Sequence, residues 1–400
     1  MASAFEVVGP FIVDKWTEHN VIGVEIFSIK TTRANVNLLS EARKLSALAG
    51  GIGFPNICSL GKVDGHMAIL TDDVGDSLET LFDKCGRYFD MPILLEFACQ
   101  LISRLEWMHK RHISHGSLQP SSLTIGAASW QTPQITISHF GHGDPVQFLP
   151  QMDLEAVGDI LLYLATGSVP WDTLKACERS EIELPHTLGA YFSAIRSRDL
   201  NPADYVILRN IFDSARQSLE KKLFGGMGVF QQEIPTLKNL SSRSTGDLFE
   251  RLGLRLSGVG ETVSRVAKGS LTLGQARSIS QRLDEILVIY MALLVRDEPS
   301  TTPPKYSMSA YHLPNRLWRD MRWYLCISSC FSPSFQFQIS LRIYKFVGVL
   351  LEINPMYNKY WTRYLSELSH TMESLDMRSS FSWRQAWIYW KDCANYLKRR

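Results

Sequence analysis

Several short stretches of this chain carry side chains able to do chemistry. The string His115-Gly116-Ser117-Leu118-Gln119-Pro120-Ser121-Ser122 puts an imidazole two positions from a hydroxyl. With Asp153 these compose a Ser-His-Asp set, in which the ring takes the hydroxyl proton and the carboxylate orients the ring. That reading is geometrically unappealing, since nothing places Ser117 beside an oxyanion hole. His139, His142 and Asp144 offer two imidazoles and a carboxylate to a metal, but loop histidines are more often solvated or hydrogen-bonded, and no metal is expected. Cys326 and Cys330 stand at i, i+4 without a nearby histidine, and the seven cysteines form no CxxC pair. They read as reduced thiols, mostly core. Trp383, Trp387 and Trp390, continued by Ala394 and Leu397, follow the i, i+4, i+7 spacing of one helical face. Such a stripe is either core or an aromatic anchor for a partner.

The elements that must position these groups follow from periodicity. The first hundred residues alternate β-like runs (EVVGPFIV, VIGVEIFSI, HMAILT) with one helical segment, NLLSEARKLSALAG, which ends at Gly50-Gly51 as a helix C-cap would. Between 91 and 112, apolar residues at 94, 97, 98, 101, 102, 105 and 108 predict a long half-buried helix. A turn-rich β-like stretch at 122–145 precedes another apolar helix at 154–167. Residues 222–243 lose periodicity and mix Gly, Pro and Ser, which marks a linker. Beyond it only helices are expected, near 244–257, 271–296, 315–331, 335–353, 355–375 and 380–399. Asn354-Pro355 is read as an N-cap followed by proline at the first helical position, and residues 297–314 as a loop.

Composition sets the broad class. At 400 residues, 45% hydrophobic and 20% charged, the chain is an ordinary globular mix of two or three domains. A net charge of +2 gives no whole-chain case for binding nucleic acid or a membrane surface. The first residues lack a basic region followed by an apolar one, and the longest apolar runs fall short of the roughly 20 residues of a membrane span. An intracellular protein with no membrane segment is expected.

Seven strings, in order, resemble the casein kinase 1 branch of the protein kinases across residues 5–217: GGIGFP (50–55), GDSLETLF (75–82), QLISRLEWMH (100–109), HISHGSLQPSSL (112–123), HFG (139–141), DLEAVGDILLYLATGSVPWDTLKA (153–176) and ADYVILRNIF (203–212). The resemblance implies an α+β, bilobal kinase-like domain with a trimmed N-lobe and activation segment, followed by an all-α domain. The expected boundaries are 1–221 for the kinase-like domain, 222–243 for the linker and 244–400 for the helical domain.

The same resemblance locates what is missing. A kinase needs a lysine for the α and β phosphates, an aspartate to accept the hydroxyl proton, and Asp plus Asn for the metals. By this correspondence Phe27 stands at the lysine, Ser117 at the base, Gln119 at the catalytic-loop lysine, Ser122 at the metal-binding asparagine and His139 at the DFG aspartate. A serine hydroxyl lacks carboxylate basicity near pH 7, and magnesium takes hard oxygen ligands rather than imidazole. Lys30 lies three residues after Phe27, on the opposite face of a strand unless a bulge intervenes. Only Gly9 remains of the glycine-rich loop, and Asp153 follows Gly141 by only twelve positions, too few for a substrate shelf.

The framework positions are kept. Glu41 matches the helix-C glutamate, Leu45, His115 and Phe140 the apolar spine, Gly141 the glycine of DFG, and Asp153 with Gly158 the helix-F anchor. Loss confined to phosphate, metal and proton-transfer positions is what a kinase fold retained as a binding body would show. The expected function is therefore a catalytically inactive scaffold or regulatory subunit. It would need no cofactor and would bind one or more proteins through the helical domain, with Trp383, Trp387 and Trp390 as candidate anchors. The alternatives are an atypical nucleotide-dependent phosphotransferase with a rebuilt site, and a subunit of a nucleic-acid-associated complex, which would meet nucleic acid only indirectly if at all.

Overall fold

The computed structural model describes residues 6–8, 19–22, 25–32, 35–63, 66–72, 75–125, 134–140, 150–167, 184–196, 204–218, 244–265, 273–295 and 312–399. A five-stranded antiparallel sheet is built from β1 (Glu6–Val8), β2 (His19–Ile22), β3 (Glu25–Thr32), β4 (Ile57–Val63) and β5 (His66–Asp72), in the order β1-β4-β5-β3-β2. Helix α1 (Asn35–Leu48) lies against it, with Leu38 and Ala42 packed near Ile69 of β5. Strand β4 carries no clear sequence signal, because Cys58, Ser59 and Gly61 are weak strand formers and the register shifts between Ile57 and Ser59.

After α2 (Leu78–Lys84), helix α3 (Met91–His109) begins at Asp90, whose side chain accepts from the Ile93 amide at 3.2 Å, with Pro92 in the first turn. All seven apolar positions read from its sequence are buried. The two-stranded ribbon β6 (Leu123–Ile125) and β7 (Ile135–Ile137), then α4 (Pro150–Thr166), α5 (Leu184–Arg196) and α6 (Asp204–Ser218), complete this part. Helices α4 and α6 both pack on α3.

The remaining described elements are helices: α7 (Thr245–Arg265), α8 (Leu273–Val295), α9 (Leu313–Ser329), α10 (Pro333–Ile353), α11 (Asn358–Leu375) and α12 (Ser380–Arg399). Helix α7 runs past its expected end at 257. A Cβ at Gly258 would sit 2.0 Å from an Arg282 guanidinium nitrogen, so the glycine makes room for α8. Asn354 stands at the N-cap position with Pro355 first after it, as expected, but of a 3-10 turn and without a capping hydrogen bond from its side chain. Its amide closes α10 on the Leu350 carbonyl at 3.0 Å, Pro355–Tyr357 forms a single 3-10 turn, and α11 starts only at Asn358. The expected linker at 222–243 lies outside the described residues apart from what flanks it.

The two parts share one continuous hydrophobic core, from Leu45 to Trp390. Their junction is the glycine turn after α1. Gly50 has φ +79°, and a Cβ on it would lie 2.4 Å from that of Ala386 and 3.2 Å from the Trp383 ring. The Tyr344 hydroxyl donates to the Gly50 carbonyl at 2.7 Å and accepts from the Trp390 indole at 2.7 Å, while the Trp107 indole donates to Leu48 O at 3.1 Å. The helix end is thereby satisfied by aromatic donors from α3 and α10 rather than by water. Two ion pairs add to the junction, Arg104–Glu352 at 2.6 Å and Lys345–Asp72 at 2.5 Å. The later helices thus grip both the sheet and α3.

Candidate functional site

The loop between α3 and β6 is organised by one buried carboxylate. Asp153, in the first turn of α4 and 1% exposed, accepts from the His115 amide at 2.7 Å and the Gly116 amide at 2.8 Å. His109 Nε2 lies 3.0 Å from its Oδ2, and His109 Nδ1 lies 2.5 Å from the Tyr205 hydroxyl. Both oxygens are therefore committed to holding the loop. Gly158, one turn further on α4, lets α5 approach, since a Cβ would stand 2.3 Å from the Phe192 ring.

His115 is buried, with its ring 5.2 Å from that of Phe140 and its Nε2 3.4 Å from the Ser138 carbonyl. Burial holds its pKa below the usual histidine range, so the ring is a neutral packing group near pH 7. Leu45 and Glu41 are also buried, on α1.

The positions that a phosphotransferase would use are occupied otherwise. Ser117 and Gln119 are exposed. The Ser122 hydroxyl donates to the Gln119 carbonyl at 2.7 Å and accepts from its amide at 3.0 Å, closing a local turn. His139 is exposed with φ +56°, and its Nδ1 lies 2.8 Å from Ser138 Oγ. Phe27 sits in β3 opposite Asp72, and the β3–β5 register runs without a bulge from there to Thr32, so positions 27 and 30 fall on alternate pleats. Gly141, His142 and Asp144, with the expected short activation segment, lie outside the described residues. Among the described residues there is no cluster of three metal-ligating side chains.

Reading the sequence did not single out Lys44. It stands one turn after Glu41 on α1, with Nζ 5.8 Å from the centre of the Phe140 ring. Burial lowers its pKa, while the carboxylates of Asp153 and Glu41 act in the opposite sense. No motif marks this lysine; only its helical phase, i+3 from Glu41, could have found it. A cavity of about 260 Å³ opens beside the loop, against Ser117, Met152, Glu155 and Asp159. Burial and the neighbouring Glu155 raise the pKa of Asp159, as two carboxyl groups sharing one mouth hold a proton more readily.

The tryptophan stripe is divided. Trp383 and Trp390 are buried, the first edge-on to Tyr344 at 5.2 Å and the second stacked on Trp107 at 6.2 Å. As partner anchors these two are therefore corrected: they hold α12 to the rest of the chain. Trp387 is half-buried and stacks on His370 at 4.6 Å. What α12 turns outward is Phe381, Ile388 and Tyr396, which the stripe pattern did not indicate.

Because Asp153 holds two backbone amides, Asp153→Ala is expected to cost about 1–3 kcal/mol by leaving those donors unpaired, read as a lower melting temperature. Ser117→Ala, at an exposed position, should leave the melting temperature unchanged. An unchanged melting temperature for Asp153→Ala would show that the carboxylate does not hold the loop.

No protein-family model matches the chain. Among curated proteins it is similar to casein kinase I homolog 2 of Schizosaccharomyces pombe, with 26% identity over 228 residues, covering 44% of this chain and 52% of the relative. The chain thus spans about half the length of that relative. The similarity supports a kinase-like relationship, and the sheet and helices fit an α+β kinase-like region joined to a helical part. No helix among the described residues is long and apolar enough to cross a membrane.

Proposed function

We propose that this chain is a catalytically inactive, kinase-like binding protein, a scaffold or regulatory subunit acting inside the cell. In this reading a bilobal pseudokinase over residues 1–221 and a helical region over 244–400 act as one body that presents its surface to other proteins. No membrane contact is involved, and any nucleic acid is met only through partners. The carrying observation is the state of the loop. Asp153 is saturated by the loop's own amides and His109, Ser122 closes a turn, and the group at the position of the base is an exposed serine hydroxyl. The hydroxyls at 117 and 122 neither accept a proton near pH 7 nor offer magnesium a carboxylate.

The test is thermal unfolding with ATP and magnesium. A site of micromolar affinity at millimolar nucleotide would add roughly 4 kcal/mol by mass action. No magnesium-dependent rise in melting temperature is expected. A clear rise would favour the second reading, an atypical nucleotide-dependent phosphotransferase. Lys44 is the observation on its side, as a cation beside Phe140 and under the influence of the Asp153 and Glu41 carboxylates. In that case Lys44→Met should abolish the rise.

A further inference from the structure

Helix α12 buries one face in the junction and leaves the other uncovered. On the outer face Phe381 is 71% exposed and Ile388 49%. The two are seven residues apart, hence two turns along the same line of the helix. Tyr396, 56% exposed, extends the apolar surface toward the C-terminal end. Cations flank this stripe. Lys391 lies over the Trp387 ring at 5.1 Å, and neither it nor Lys398 nor Arg399 has a carboxylate partner among the described residues.

We propose that this face of α12 docks an acidic amphipathic helix of another protein, its apolar residues on Phe381 and Ile388 and its carboxylates against Lys391, Lys398 and Arg399. The proposal rests on the binding-protein reading above and names its surface. Three observations favour this occupant. The apolar stripe is narrow and follows helical spacing, which suits a helix laid alongside. The unpaired charge beside it is mainly positive, three cations against the single carboxylate of Asp392, so a complementary acidic partner gains in encounter rate and in register. Asp392 and Asn395 lie on the same exposed face, where a lipid surface would have to desolvate them. A second copy pairing the same face to itself would bring three cations against three, with only Asp392 of each copy to offset them.

The experiment uses the full chain, with a photo-crosslinking amino acid placed at Ile388 or, as a control, at exposed Leu254 on α7, irradiated in its native cell. The crosslinked segments are sequenced and resynthesised, and their binding to the purified full chain is read by fluorescence anisotropy. Expected is a segment crosslinked at 388 and not at 254, net negative, with apolar residues at i, i+3 or i+4, and i+7. Its binding should weaken at least about tenfold in Phe381→Asp/Ile388→Asp and in Lys391→Glu, and should fall with added salt. Because these side chains are exposed, the circular dichroism spectrum and melting temperature should not change. Crosslinks to the chain itself, a segment without acidic character, equal yield at the two positions, no crosslink at all, or flotation of the chain with phosphatidylserine vesicles would each overturn the proposal. Those results leave the inactive-kinase reading in place. A magnesium-dependent response to ATP would remove that reading without touching the surface.

Discussion

Trp383→Ala is expected to destabilise the protein by about 3–5 kcal/mol, the range for removing a large aromatic ring from a packed core. The ring is 0% exposed and edge-on to Tyr344, and its indole donates to the Asp376 carboxylate at 3.0 Å. Truncation opens a cavity and leaves a buried acceptor unpaired, two costs that add. The cavity cannot close by collapse from the far side, because the wall there is the backbone of Gly50, held by its own hydrogen bond from Tyr344. Chemical denaturation followed by circular dichroism measures the loss. Amide exchange at residues 45–50 should accelerate as well, since the end of α1 leans on this ring. A loss below about 1 kcal/mol would mean that α12 is not docked on α1. Trp387→Ala, at a half-buried position, should fall well below Trp383→Ala in the same assay.

Why these tryptophans are core was only half legible. Their spacing shows a single face of a helix, and that much needs no structure. Which face is covered depends on what packs there, and the covering groups are Tyr344, Trp107 and a glycine turn some three hundred residues earlier in the chain. Periodicity carries no information about such distant partners. The same holds for GGIGFP. The glycines read as a helix end, and Gly50 is one, but the physical demand on them is the close approach of Trp383, Ala386 and Arg104, the last of which would lie 2.2 Å from a Cβ on Gly53. Helix α3 was legible from its apolar phase alone, though it ends at His109, three residues before the expected 112. Strand β4 was not, because a bulged strand of Cys, Ser and Gly has no local preference to announce. In the loop, the groups at 115, 117, 119, 122 and 153 could be placed from string order alone. Lys44 could not, since a lone lysine on a helix carries no motif.

Glu352→Ala tests the other half of the junction, where the cost is electrostatic. The Arg104 guanidinium is 1% exposed and bonded to Glu352 through two nitrogens, at 2.6 and 3.1 Å. It also donates to the carbonyls of Ile135 and Gln100 at 2.8 and 3.1 Å, and Gln134 donates to the same glutamate at 2.8 Å. Removing the carboxylate leaves a buried positive charge whose remaining bonds are only to neutral oxygens. Breaking one side of a buried pair in this way costs about 3–5 kcal/mol, and the partial exposure of Glu352 places the expectation near about 3 kcal/mol. Removing both charges together behaves differently. Arg104→Met/Glu352→Leu eliminates the stranded charge and fills part of the space, so the double variant should be more stable than Glu352→Ala alone. Urea denaturation of the single and double variants decides the matter. If the two changes simply add, the pair is not coupled, and α10 is held to α3 through α12, by Trp390 stacked on Trp107 and bonded to Tyr344.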